Sequence, residues 1–183
     1  MPAVLSFDLG RELGYALVGR PKVIFNTVTV VSQWSPLGPC LLELEDRLHK
    51  LILRHQPDYL ACARPFVRKS KKKMFDTTQN LLPMFGGFAV LNMLAASMGR
   101  PLRIIEESRA RHLFTGGGSA TSAKAKAEVM QGCRDRGANV RTDHEADAIC
   151  VGFAVLEELT PGREWETTPL FRANPTMKAR RAA

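Results

Sequence analysis

Asp8 and Asp147 are two acids set where an acid needs a reason. Asp8 follows the apolar run Val4, Leu5, Ser6, Phe7, and a carboxylate at the end of a buried strand is costly to desolvate unless a cation or a donor meets it. It is therefore either a ligand or a turn-forming residue bonded to its own backbone. Asp147 lies three residues before Cys150 and seven before Ala154, where Ile149, Cys150, Phe153, Ala154 and Leu156 mark one face of a helix. That spacing turns its side chain inward with them. Asp143 and His144 precede it by four and three and can share its face. A favourable first-turn charge is the plainer reading of Asp143, and a polar surface position that of His144. Oxygen ligands gathered at a strand end and a helix start suit magnesium or manganese. Two such ions about 4 Å apart can activate water and stabilise the leaving oxygen in phosphodiester cleavage.

A scaffold has to bring residue 8 to residue 147. Val4 to Phe7 and Tyr15 to Val18 flank a polar segment holding Gly10 and Gly14, which predicts a hairpin with a wide turn. The β-branched segment Val23 to Val31 adds a third antiparallel strand. After a turn-rich linker with Pro36 and Pro39, Leu41, Leu44, Leu48, Leu51 and Ile52 recur at helical spacing, and that helix must end before Pro57. Tyr59 to Ala63 is apolar without alternation, as in a strand covered on both faces, and a strand reached through a helix runs parallel to an earlier one. Residues 74–98 are helical up to Gly99-Arg100-Pro101. Pro83 implies a kink or a second start there, and Gly86-Gly87 a packing or close-approach requirement. Leu102 to Ile105 predicts a strand, Ser108 to Phe114 a brief helix, Thr115 to Ser119 a loop, and residues 122–136 a helix. Thr142 with Glu145 three residues on is a capping box opening a last helix to Leu159. The expectation is an α/β fold: a mixed sheet, its first three strands antiparallel and the later ones parallel, with helices on both faces. One domain occupies residues 1–160 and a basic, loosely ordered tail residues 161–183.

Of the 183 residues, 45% are hydrophobic, which suffices for a core without staples, and no apolar run is long enough to span a bilayer. The N-terminus lacks the basic-then-apolar pattern of an export signal, so a cytoplasmic location is expected. Cys40, Cys62, Cys133 and Cys150 are too scattered for zinc spacing or a disulfide framework and read as reduced thiols. The net charge of +8 favours a polyanionic partner. Much of it sits in one run, Arg64, Arg68, Lys69, Lys71, Lys72 and Lys73, without an acid and with Phe66 at its base. Such a run is either a solvated loop or a phosphate-binding segment, and its density beside a buried strand favours phosphate.

Taken in order, Asp8-Leu9-Gly10 with Gly14-Tyr15, the segment Pro57 to Phe66, the Gly86-Gly87 helix, Gly118-Ser119-Ala120 leading to Lys126, and His144-Glu145-Ala146-Asp147-Ala148 resemble the RuvC-type Holliday junction resolvases of the RNase H-like superfamily. The resemblance covers about residues 3 to 158, in wording closer to phage-encoded members. It implies structure-selective cleavage of branched DNA, four-way junctions foremost, with two magnesium or manganese ions per site. The family's metal positions fall on Asp8, position 63, His144 and Asp147, with Asp143 a lesser candidate. Aspartate or histidine is usual at the position of His144. Position 63 departs from the family: glutamate is expected and the chain reads Ala63, which can neither bind metal nor accept a hydrogen bond. As given, the chain is expected to be inactive or severely impaired. Either a working enzyme's glutamate was replaced, as the three retained positions favour, or this is a natural binding-only relative. Lys126 matches the family's active-site lysine, with Lys124 the alternative. Phe66 matches an aromatic that stacks on an unpaired base at the junction centre; a core aromatic at a strand end is the rival. The Gly86-Gly87 helix corresponds to the family's dimer interface, which implies a two-fold homodimer facing a near two-fold junction. Two other classes compete: a junction-binding protein without nuclease activity, and the actin-like ATPases and sugar kinases, which share the Asp-x-Gly hairpin but need further phosphate loops and about twice this length.

Overall fold

The structure, a computed structural model, describes residues 1–30, 36–65, 75–117 and 122–161. Strands β1 (Val4–Asp8) and β2 (Glu12–Val18) form the hairpin, antiparallel from Val4↔Val18 to Asp8↔Gly14. β3 (Ile24–Thr29) pairs antiparallel on the far side of β2. On the other side of β1, β4 (Tyr59–Ala63) is parallel to it, and β5 (Leu102–Ile105) is parallel to β4. The sheet order is β3-β2-β1-β4-β5, three antiparallel strands followed by parallel ones.

Alternation along β1 divides the core. Leu5 and Phe7 point to one face, where they meet Leu60, the Leu44, Leu48 and Ile52 stripe of α1 (Leu37–His55), and Leu91 and Leu94 of α2 (Phe75–Ser97). Val4 and Ala16 point to the other face. There they meet α5 (Asp143–Leu159), backed by Phe114 of α3 (Glu107–Thr115) and Val129 and Cys133 of α4 (Ser122–Asp135). Helices thus cover both faces.

Two local expectations change. Of the kink or second start expected at Pro83, the second start is absent, since α2 runs through the proline as one element. A Cβ on Gly86 would press to 2.7 Å from a Leu41 methyl, and one on Gly87 to 2.8 Å from a Leu44 methyl, so the glycines let α1 and α2 approach, as the close-approach reading of the pair required. The second change is in α5. Its pattern suggested a single buried face, yet every residue from Glu145 to Leu156 except Asp147 is buried. The sheet covers one side and α3 and α4 the other, so this helix is the centre of its layer. The four cysteines are free and buried. Among the described residues no helix is long and apolar enough to cross a membrane.

Candidate functional site

The site begins where α5 starts above the end of β1. The expected capping box is present: Thr142 Oγ1 accepts from the Glu145 amide at 3.2 Å, and the Glu145 carboxylate accepts from the Arg141 amide at 2.7 Å and the Thr142 amide at 3.4 Å. The helix lies close on the hairpin. A Cβ at Gly14 would collide with the His144 carbonyl, and the Ser6 hydroxyl donates to the Ala148 carbonyl at 2.7 Å. Asp143, His144 and Asp147 are thereby held near Asp8.

Each polar group there has a partner. His144 Nδ1 lies 2.7 Å from Asp8 Oδ2, and this bond raises the His144 pKa against the opposing pull of burial. Lys126 Nζ donates to Asp143 Oδ2, which holds the Asp143 carboxyl below its usual range and the Lys126 ammonium above its own. The negative charges of Asp147 and Asp8 also act on Lys126, whereas Lys124, two residues away, is exposed. Asp147 is different. Burial, and then the charge of Asp8, push its carboxyl up to about 6, opposed by Arg111, whose Nη2 stands 3.7 Å away.

A cleft of about 110 Å³ opens at the strand ends, lined among others by Asp8, Ala63, Arg64, Glu107, Arg111 and Asp147. The structure thus brings position 63 together with Asp8 and Asp147, while His144 joins through Asp8 and Lys126 through Asp143. Arg64 is exposed on the rim and pairs with Glu106 at 3.0 Å. Glu107 and Arg111 were not read from the sequence. Arg111 donates to the Glu107 carboxylate one turn earlier, and its Nε is buried without a hydrogen-bond partner. The signal that points to Glu107 is its place two residues after Ile105, the Cα partner of Ala63. Phe66, Arg68, Lys69, Lys71, Lys72 and Lys73 lie outside the described residues, as do Gly118 to Ala120 and the tail from residue 162.

The donor set can be weighed for a metal. Asp8, Asp147 and Glu107 are hard oxygen donors around one cleft, and the Asp147 carboxyl is raised first by burial and then by the charge of Asp8, the second of which a cation would relieve. Among the described residues no three His, Cys, Asp or Glu side chains are grouped tightly enough to grip one ion as they stand. Asp8 is turned to His144, Asp143 to Lys126 and Glu107 to Arg111. The chemistry fits a hard divalent cation once such partners are exchanged for it.

No protein-family model and no curated protein sequence matches the chain. Solved structures do. Thermus thermophilus RuvC in complex with a Holliday junction substrate superposes with a TM-score of 0.68 at 18% identity, covering 92% of this chain and 98% of that one. A second Thermus thermophilus RuvC structure gives 0.62 at 16% identity, covering 86% and 95%. The yeast mitochondrial Holliday junction resolvase Ydc2 gives 0.55 at 14%, covering 82% and 76%. The fold is RNase H-like, as in RuvC. At these identities the likeness is one of architecture.

Proposed function

We propose that the chain is a structure-selective endonuclease of branched DNA, four-way junctions foremost, with its cleavage impaired by the alanine at position 63. One observation carries this reading: Ala63 lines the same cleft as Asp8 and Asp147, so a carboxylate at that position would face both. The RuvC structure solved with its Holliday junction substrate supports the choice of DNA. Asp8, His144 and Asp147 would hold magnesium or manganese, two ions in the complete site, with Asp143 a lesser ligand. The metal would supply activated water and charge stabilisation at the leaving oxygen. Lys126, close to Asp143 and within the field of Asp8 and Asp147, opposes negative charge developing on the phosphate.

Arg64 and the basic run through Lys73 would hold the backbone, and Phe66 would stack on an unpaired base at the crossover. A second copy completes the assembly. Leu82, Phe85 and Met93 leave an exposed apolar strip on α2, and a two-fold dimer through it would present two clefts to a junction. The same Ala63 favours a second reading, a binding protein without catalysis. Labelled four-way junction incubated with magnesium and either the chain or its Ala63→Glu variant separates the two. Both proteins should bind, and the variant should cleave roughly a hundredfold faster. Binding without cleavage by either protein selects the non-catalytic reading, and loss of junction preference rejects both.

A further inference from the structure

The acid missing at position 63 has a neighbour. β4 and β5 run parallel and in register, with Ala63 opposite Ile105 and the Arg64 amide donating to the Ile105 carbonyl at 2.8 Å. The chain leaving β5 therefore emerges beside the chain leaving β4. Two consecutive acids follow, and they part company. Glu106 turns outward to Arg64 with its side chain 51% exposed, whereas Glu107, the first residue of α3, is 26% exposed and lines the cleft with Asp8, Ala63 and Asp147. We propose that Glu107 ligates a divalent cation in this cleft together with Asp8 and Asp147, supplying from β5's exit the carboxylate that position 63 lacks. The inference rests on reading the cleft as a metal-dependent nuclease site.

Arg111 is the partner Glu107 has in this structure. Its guanidinium donates to Glu107 and comes within 3.7 Å of Asp147, spanning the two carboxylates from one turn further along α3. It is an incomplete substitute, since its buried Nε is left without a partner and a single charge faces several acids. A divalent ion would neutralise the same carboxylates more fully, with water filling the remaining positions of an octahedral shell. The alanine methyl at position 63 leaves that space open, and a cleft of about 110 Å³ has room for an ion with a few waters.

The test is manganese binding to the full chain, followed by titration calorimetry, alongside four-way junction binding in metal-free buffer. Glu107→Gln should weaken manganese binding by about tenfold or more, Glu106→Gln should leave it unchanged, and adding Ala63→Glu to Glu107→Gln should restore it. Equal affinity for the parent and Glu107→Gln, with the melting temperature retained, would overturn the assignment. If Glu107→Gln unfolds, Glu107→Asp decides, because it keeps the charge for Arg111 and shortens the reach: several-fold weaker manganese binding supports the ligand role and unchanged binding rejects it. Junction binding lost in every variant while the manganese pattern holds would reject the DNA reading and leave Glu107 a ligand.

Discussion

His144 Nδ1 lies 2.7 Å from Asp8 Oδ2, joining the first turn of α5 to the last residue of β1. An ionised Asp8 accepts that bond and favours the protonated ring, so the His144 pKa is raised in the folded state. A group shifted this way contributes stability that is complete below its unfolded value, about 6.5, and is lost as pH rises through the higher folded value. The melting temperature of the parent should therefore fall relative to His144→Gln as pH rises from about 6 towards 9. Thermal melts across that range check it; parallel curves would show that the bond carries no linkage.

Asp147 runs its linkage in a lower window. Its carboxyl is raised from 3.8 to about 6, so the folded state binds the proton more tightly and stability falls as pH climbs between those values. At neutral pH the buried charge costs up to about 3 kcal/mol. Asp147→Asn should raise the melting temperature by several degrees above about pH 7, change little near pH 4, and abolish cleavage in the Ala63→Glu background. A variant no more stable than the parent at pH 8 would mean the charge is better solvated than its burial implies.

Gly14 sits where backbone meets backbone, and a methyl there has nowhere to go but into the His144 carbonyl. Gly14→Ala should cost about 1 to 3 kcal/mol by overpacking. It should also lengthen the His144 to Asp8 bond and so flatten the pH dependence described above. A variant that melts like the parent would contradict the close approach of α5.

The basic run is testable through salt. Replacing Lys71, Lys72 and Lys73 with alanine should reduce the slope of log affinity against log salt by up to about three. Phe66→Ala should lower the junction-to-duplex affinity ratio by roughly five- to a hundredfold while the melting temperature holds. An unchanged ratio with a large drop in melting temperature would return Phe66 to the core.

What the sequence could and could not reveal follows from the range of the forces involved. The hairpin, the apolar run of β4 and the Thr142–Glu145 box are written in residues a few places apart, and each appears as read. The enclosure of α5 was not visible, because the helical period marks its most apolar side and cannot say that two further helices lie over the other. Asp8, Ala63 and Asp147 could be placed together by their order along a recognisable fold. Glu107 could not. At the start of a helix an acid looks like an ordinary favourable first-turn charge, and only the register Ala63↔Ile105 brings it to the cleft. Arg111 follows from Glu107 by one helical turn and was hidden with it.

The bonds that build this site tie the two ends of the domain together: Ser6 to Ala148 is 142 residues apart in sequence and Asp8 to His144 is 136. During synthesis β1, β2 and β4 leave the ribosome early, and Asp8 has no histidine beside it until the last helix follows. A chain cut short before residue 143 carries Asp8, Ala63 and Glu107 but not Asp147, and its sheet lacks the helix that covers one face. The cleft therefore comes into being only when translation of the domain is nearly complete, so a copy ending before residue 143 has neither Asp147 nor the helix that sets it beside Asp8.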